Sequence, residues 1–325
     1  MTLTIERITF GAATLGNLFS EVTEAESRAI LEAAWSGGIR HFDTAPHYGL
    51  GLSERRLGAF LGSLSAVDSA AATVTTKVGR LLRPNQAHAG ELDVANGFAV
   101  PASLRREWDP SADGVRVCLE ESLERLGLDH VDGLYLHDPD EYADEVASLE
   151  SGLAGLDLLR TAGLVNEVGI GSKSARMLEL AVAHPATTQV MVANRFTLVD
   201  DSALGPVLGP AADRGVNVVA AAIFGSGLLA RPEPAGHYDY GTAPQSVIDR
   251  AREIAVVCRA HGSDLPTAAL HYVARHPAVT QVVIGSRRVD QLRENLERVA
   301  NPPADALYAD LADRGLAPDP AEAMR

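Results

Sequence analysis

Aromatic residues make up only 5% of this 325-residue chain, cysteine occurs twice, and basic residues are outnumbered 28 to 43 by acidic ones. Each shortage excludes something. So few aromatics disfavour a large greasy pocket of the kind that holds a steroid. Cys118 and Cys258 make no metal-ligand spacing, so no metal site is expected; both sit in helix-like stretches and read as buried thiols of a reducing, cytoplasmic compartment. A formal charge of −15 disfavours nucleic acid and anionic membranes as partners, because basic patches carry affinity for both. No uncharged apolar run approaches the length needed to span a bilayer. The stretch Met1–Phe10 has no basic region followed by an apolar run, so no signal peptide is expected. Also missing is Gly-x-Gly-x-x-Gly after the first strand, the usual mark of a doubly wound nucleotide-binding sheet. In its place stands Gly11-Ala12-Ala13-Thr14-Leu15-Gly16.

What is present is a regular alternation. Short β-rich runs fall at Arg7–Gly11, His41–Ala45, Thr73–Val78, Gly133–His137, Glu167–Gly171, Val190–Asn194, Val216–Ala221 and Gln281–Gly285. Amphipathic segments fall between and around them, at Glu24–Ser36, Ser53–Leu61, Asp113–Leu126, Glu145–Thr161, Ser174–His184, Ser202–Arg214, Ser246–Ala260, Leu265–Arg275 and Val289–Val299. Thr23 is a good N-cap for the first helix and Gly37-Gly38 a good stop. Eight strands, each followed by a helix, predict a single-domain α/β protein spanning residues 1–325, a (β/α)8 TIM barrel. The interval from Gly79 to Pro110 has no clear period and reads as a long loop after the third strand, on the side where barrel active sites lie. An extra C-terminal helix is expected at Asp305–Arg314.

Three of the apolar runs end in ionisable residues. Asp43, Lys77 and His137 close strands two, three and four, and Tyr48 follows in a Pro/His/Gly loop. Barrel geometry brings such positions to one mouth. A phenol titrates near about 10, too high for easy proton exchange at neutral pH, and a neighbouring ammonium lowers it. Asp43 would keep Lys77 in place and charged, and His137 would hydrogen-bond a substrate oxygen. Each residue alone has a structural alternative: a rim ion pair, a satisfied core histidine, a packed loop aromatic. Their joint placement points to an acid–base centre.

Phosphates need backbone N–H donors and close approach, which glycine and helix N-termini provide. Phe224-Gly225-Ser226-Gly227-Leu228 after strand seven and Gly285-Ser286-Arg287-Arg288 after strand eight stand where barrels commonly bind phosphate. As an alternative, these glycines merely turn the chain. At the rim, Phe19, His47, Trp108 and Asp138 are candidates for contacting a small polar carbonyl or hemiacetal substrate; a tryptophan in this loop either stacks on a sugar face or packs the loop.

The segments Gly38-Ile39-Arg40-His41-Phe42-Asp43-Thr44-Ala45-Pro46-His47-Tyr48-Gly49, Thr76-Lys77-Val78-Gly79, Glu121–Asp132 and Gly285–Asn295 resemble motifs of the aldo-keto reductase family. The likeness covers nearly the whole chain. It implies a (β/α)8 barrel that uses NAD(P)H without a Rossmann fold, with Asp43, Tyr48, Lys77 and His137 as the catalytic four. Carried over in the same way, Ser286, Arg287, Gln291, Glu294 and Asn295 would hold the adenosine half of NAD or NADP, with NAD favoured. Many family members have Ser-Asn after strand five, Gln at the end of strand six and an aromatic after strand seven. This chain departs at all three places, leaving Ser172 and Asn194 for the nicotinamide amide and Ile223 or Phe224 for stacking. His137-Asp138-Pro139-Asp140, Arg195–Asp200 and Phe224–Leu229 are similar to the family branch of aldose 1-dehydrogenases, with pyridoxal 4-dehydrogenases much alike. That implies oxidation of a ring hemiacetal of the L-fucose, L-galactose or D-arabinose type to a lactone. A carbonyl reductase using NADPH and a non-catalytic nucleotide-binding sensor remain the alternatives.

Overall fold

The structure, a computed structural model, describes residues 2–234, 236–239 and 241–322. Eight strands close a parallel barrel in chain order: β1 Ile8–Gly11, β2 His41–Asp43, β3 Thr73–Val78, β4 Gly133–His137, β5 Glu167–Ser172, β6 Gln189–Ala193, β7 Asn217–Ala221 and β8 Val279–Ile284, with β8 pairing back to β1. The predicted α/β barrel is therefore the fold. Alternation along β4 shows how it is filled. Leu134 and Leu136 join the apolar layer between sheet and helices, whereas Tyr135 packs in the lumen with Met191, Val219, Ala221 and Val283. Every residue of β4 is buried, so neither of its faces shows the polar alternation of a strand with one face in water.

Element boundaries match the expectations to within about two residues in most cases. Thr23 caps the first helix by accepting from the Glu26 N–H, and Glu26 returns the bond to the Thr23 N–H. The helix expected at Ser202–Arg214 is a correction. It is a π-helical turn, Leu204–Leu208, running into an α-helix, Gly209–Arg214. Pro206 and Pro210 have no N–H to donate, so a continuous α ladder is impossible there. A short helix, Ala66–Ala70, was not expected.

The interval Gly79–Pro110 is the larger correction. It is not an irregular loop: Arg80–Pro84 and Leu104–Trp108 pair antiparallel, with Arg80 opposite Trp108 and Leu82 opposite Arg106. The two strands carry arginines at both faces, so no period-2 apolar pattern announces them. Nineteen intervening residues (85–103) separate the partners in sequence. Leu82 packs with Leu50, Phe98 and Val100 in a small apolar cluster that docks this hairpin on the rim.

At the opposite end, the N-terminal ends of the strands enclose a cavity of about 370 Å³ lined in part by His41, Thr75, Asp132, Tyr135, Glu167 and Gln189. Tyr135 donates to Gln189 there at 2.9 Å.

Candidate functional site

Parallel strands deliver Asp43, Lys77 and His137 to one rim, because each lies at the C-terminal end of its strand. Lys77 Nζ donates to Asp43 Oδ2 at 2.6 Å and to the Thr44 carbonyl at 3.0 Å, while Thr75 Oγ1 donates to Asp43 Oδ1 at 2.8 Å. The two charged side chains are almost wholly removed from solvent, at 2% and 4% exposure. A buried pair of this kind is retained for what it does, since apolar residues of like volume would serve stability as well. Lys77 and Lys173 are the only two lysines in the chain, every other cation being arginine. That scarcity was a readable signal that the ammonium at Lys77 is a chemical choice.

Tyr48 lies in the loop after β2. Its backbone passes so close to Gly16 that a Cβ there would meet the Tyr48 carbonyl carbon at 2.5 Å, and a Cβ on Gly49, at φ +62°, would meet the Gly16 oxygen at 2.2 Å. Only glycine fits either position. Lys77 Nζ stands 4.7 Å from the Tyr48 ring centroid and acts on the phenol by charge and by hydrogen bond. His137 presents its ring edge-on to Tyr48, centroids 5.8 Å apart at 89°. The four residues singled out in the sequence therefore form one connected chain at the rim, Asp43 to Lys77 to Tyr48 to His137.

Their electrostatics correct one expectation. Burial raises the Tyr48 phenol above its ordinary value, and the opposing charge and hydrogen bond of Lys77 offset this only in part. In the free protein Tyr48 is thus a neutral phenol held by a cation, not a phenol already made acidic. For Lys77, burial is the largest influence and pulls its pKa down, but Asp43 and Tyr48 outweigh it and the net shift is upward, so the ammonium stays charged. Burial, then Arg80 and Lys77, drive His137 well below its usual value and keep it neutral.

Beside this group the hairpin brings two arginines that the sequence reading passed over. Arg80 Nη2 donates to Asp138 at 2.5 Å and to Glu141 at 3.2 Å. Arg106 grips Asp93 with both terminal nitrogens, at 3.0 and 2.7 Å. His47 accepts from both, at Nδ1. Burial, only partly offset by Arg80, pushes the Asp138 carboxyl up to about 6. Trp108 packs against Tyr142, with the Arg80 guanidinium 4.2 Å from its ring centroid, so its larger face is spent on the hairpin. Phe19 is 62% exposed with φ +64°, and the Arg287 guanidinium stands 6.0 Å from its ring centroid.

At the other side of the mouth, Phe224–Leu228 form a tight turn in which Gly225, Ser226 and Gly227 all take positive φ. A Cβ on Gly227 would meet nothing, and one on Gly285 would press the Gly11 oxygen at 3.3 Å. The Leu228 side chain belongs to the core. Asn194 Oδ1 and Ser286 Oγ are buried without a hydrogen-bond partner among the described residues. Such orphaned atoms at two predicted cofactor positions fit a ligand with complementary polar groups. Ser172 is less available: its hydroxyl donates to Asp140 at 2.5 Å and accepts the Ser174 N–H. Arg287 donates to Ser20 and the Leu18 carbonyl, its N–H meets Gln291 Oε1, Glu294 is exposed and Asn295 is buried against Arg298. Arg195 ties the β6 and β7 loops together through Asp200 and Asp239. No helix among the described residues is long and apolar enough to cross a membrane, and none of their His, Cys, Asp and Glu side chains cluster as a metal site.

Comparison with known proteins agrees with this geometry. Residues 7–311 match the Aldo/keto reductase family, and the chain belongs to it. It is 45% identical to a D-threo-aldose 1-dehydrogenase from Pseudomonas sp, covering 98% of this chain and 96% of that one. It is 31% identical to a pyridoxal 4-dehydrogenase from Microbacterium luteolum, covering 97% and 95%. An L-galactose dehydrogenase from Arabidopsis thaliana is 28% identical, with 91% and 85% covered. Among solved structures, a glycerol dehydrogenase from Gluconobacter oxydans superposes with a TM-score of 0.73 at 19% identity, over 97% of this chain and 94% of that one. The chain is an oxidoreductase of the NAD(P)-dependent aldo-keto reductase type.

Proposed function

We propose that this protein oxidises the anomeric hydroxyl of a small aldose to the corresponding lactone, with Tyr48 as general base. The observation that carries the reading is the buried Asp43–Lys77 pair at 2.6 Å with the Tyr48 phenol on the same ammonium. The likeness to a D-threo-aldose 1-dehydrogenase along almost the whole chain supports an aldose as substrate.

The residues divide the work. Tyr48 takes the hydroxyl proton of the substrate. Lys77 stabilises the phenolate that must exist at that moment, and Asp43 with the Thr44 carbonyl fixes where the ammonium stands. His137, neutral and edge-on to Tyr48, orients the reacting oxygen. The nicotinamide dinucleotide, when bound, supplies the hydride acceptor. Ser286, Gln291, Glu294 and Asn295 with Gly285 would hold its adenosine end, the Gly225–Gly227 turn its phosphates, and Asn194 its amide. Arg287 is committed to Ser20 and Leu18, and Arg288 pairs with Asp290 at 2.9 Å. Commitment of Arg287 supports NAD over NADP, although the exposed Arg288 stays available to a 2′-phosphate. Two unpaired buried thiols suit the cytoplasm.

The test is nicotinamide absorbance with L-fucose, L-galactose, D-arabinose and pyridoxal, each with both nucleotides. Fastest reduction of NAD by an aldose is expected. Oxidation of pyridoxal alone, or of none of the four, would overturn the reading.

A further inference from the structure

His47 stands 5.4 Å from His137 and 6.1 Å from Tyr48, centroid to centroid, and is edge-on to the former. Its Nδ1 receives Arg106 Nε at 2.5 Å and Arg80 Nη1 at 3.2 Å. Guanidinium groups only donate, so Nδ1 must be the bare nitrogen and the ring proton must sit on Nε2. No hydrogen bond to Nε2 is found among the described residues, and His47 is only partly buried. Arg106 is locked in turn, by both oxygens of Asp93 and by a bond of 2.8 Å to the carbonyl of His47 itself. Only 6% of the Arg106 side chain and 7% of Asp93 are exposed. A triad this deeply buried beside a reaction centre fixes more than a turn. It fixes the tautomer of a ring that stands beside both Tyr48 and His137.

We propose that Arg106 and Arg80, acting through His47, form a specificity device that selects aldoses bearing a hydroxyl on the carbon next to the anomeric one. This rests on the aldose reading above. Tyr48 and His137 converge on the reacting oxygen, and His47 lies one ring further along the same wall, so its Nε2–H meets the neighbouring oxygen of the sugar. The donor does not switch on or off with pH: burial first, then Arg80, Arg106 and Lys77, hold the imidazole far below its ordinary value. His137 faces it from the end of β4 and Tyr48 from the adjoining loop, and Asp93 and Asp138 stand behind the two arginines. Arg106 and Arg80 are positioning residues, since neither need touch the substrate.

The experiment compares kcat/KM for the fastest of the three aldoses with that for its 2-deoxy counterpart. Wild type is expected to favour the full aldose by about tenfold or more, the worth of one well-placed hydrogen bond. His47→Phe and Arg106→Gln should bring that ratio close to one, chiefly through KM of the full aldose, with partial recovery in Arg106→Lys. Nitrogen-15 NMR of the imidazoles gives a readout that needs no substrate and no variant that folds poorly. Wild-type His47 should show a bare Nδ1 at all pH values of the native state, and in Arg106→Gln, with the 2.5 Å donor to Nδ1 gone, the neutral ring should show a share of the tautomer protonated at Nδ1. A wild-type ratio near one, a ratio that survives both substitutions, or a proton on wild-type Nδ1 would each overturn the proposal. No turnover of any aldose would instead overturn the functional reading, while the NMR result would still decide whether the imidazole is locked.

Discussion

At the rim of the barrel, Asp43 meets Lys77 at 2.6 Å and its second oxygen is taken by Thr75; at the floor, Asp132 accepts the Val74 N–H at 2.8 Å and Glu167 leaves Oε2 with no partner among the described residues. Both ends hold carboxylates, a histidine and tyrosine oxygen. They differ in whether a cation is present to set the charge of a phenol. Rim residues Tyr48, Lys77 and His137 touch one another, whereas the floor cavity is lined by side chains that mostly serve the chain's own backbone and barrel interior. Thr75 belongs to both ends: it lines the floor cavity and donates upward to Asp43. A titratable cluster therefore reads as chemistry only when its members control one another's charge.

The sharpest way to break this contrast is Tyr48→Phe. Loss of the proton acceptor should lower kcat by about a thousandfold or more, with dinucleotide binding, followed by fluorescence quenching, intact. Near-normal turnover would remove the rim's special status. Lys77→Met comes next. It should cost about a hundredfold in turnover and displace the pH profile upward, because Lys77 is the principal influence holding the buried phenol's pKa down.

The pH dependence of the intact protein is a third expectation. Burial holds the Tyr48 pKa above its ordinary value, so phenolate grows as pH rises and aldose oxidation should climb from neutral into alkaline buffer. Lactone reduction, which needs the phenol, should not climb. On the acid side, the Asp138 carboxyl is protonated as pH falls through about 6 and ceases to be an anionic partner for Arg80. A shallow acid limb in kcat/KM near that pH should therefore vanish in Asp138→Asn. The smallest effect belongs to the floor. Asp132→Ala should cost about 1 kcal/mol in denaturant unfolding, by orphaning the Val74 N–H, and leave kcat within about twofold. A large loss of activity there would show that the two ends are coupled through Thr75.

Much of this was legible in the chain, and the reasons are local. Strands such as Thr73–Val78 and Gly133–His137 are short, rich in β-forming residues and carry an ionisable residue at or next to their C-terminal end, and their bounds match the expectation. The four candidate residues could be named together because barrel topology sends every strand end to one place. What escaped notice depended on pairing at a distance. Arg80–Pro84 and Leu104–Trp108 each look like loop until they meet, so Arg80, Arg106 and Asp93 were missed along with the hairpin. The sign of the Tyr48 shift was also beyond reach, because a sequence shows that a lysine is near but not how much water the phenol has lost. Trp108 was legible as a rim aromatic, yet only coordinates reveal that Arg80 and Tyr142 already occupy it.

The crossing of Gly16 over Gly49 has a practical consequence for anyone wishing to retarget this scaffold. Main chain abuts main chain there, with no room for adjustment, so the phenol's address is written into the path of the polypeptide and not into replaceable neighbours. Libraries aimed at new substrates can vary the hairpin outside Arg80 and Arg106 while those two glycines stay untouched, since one methyl group at either would shift Tyr48 itself.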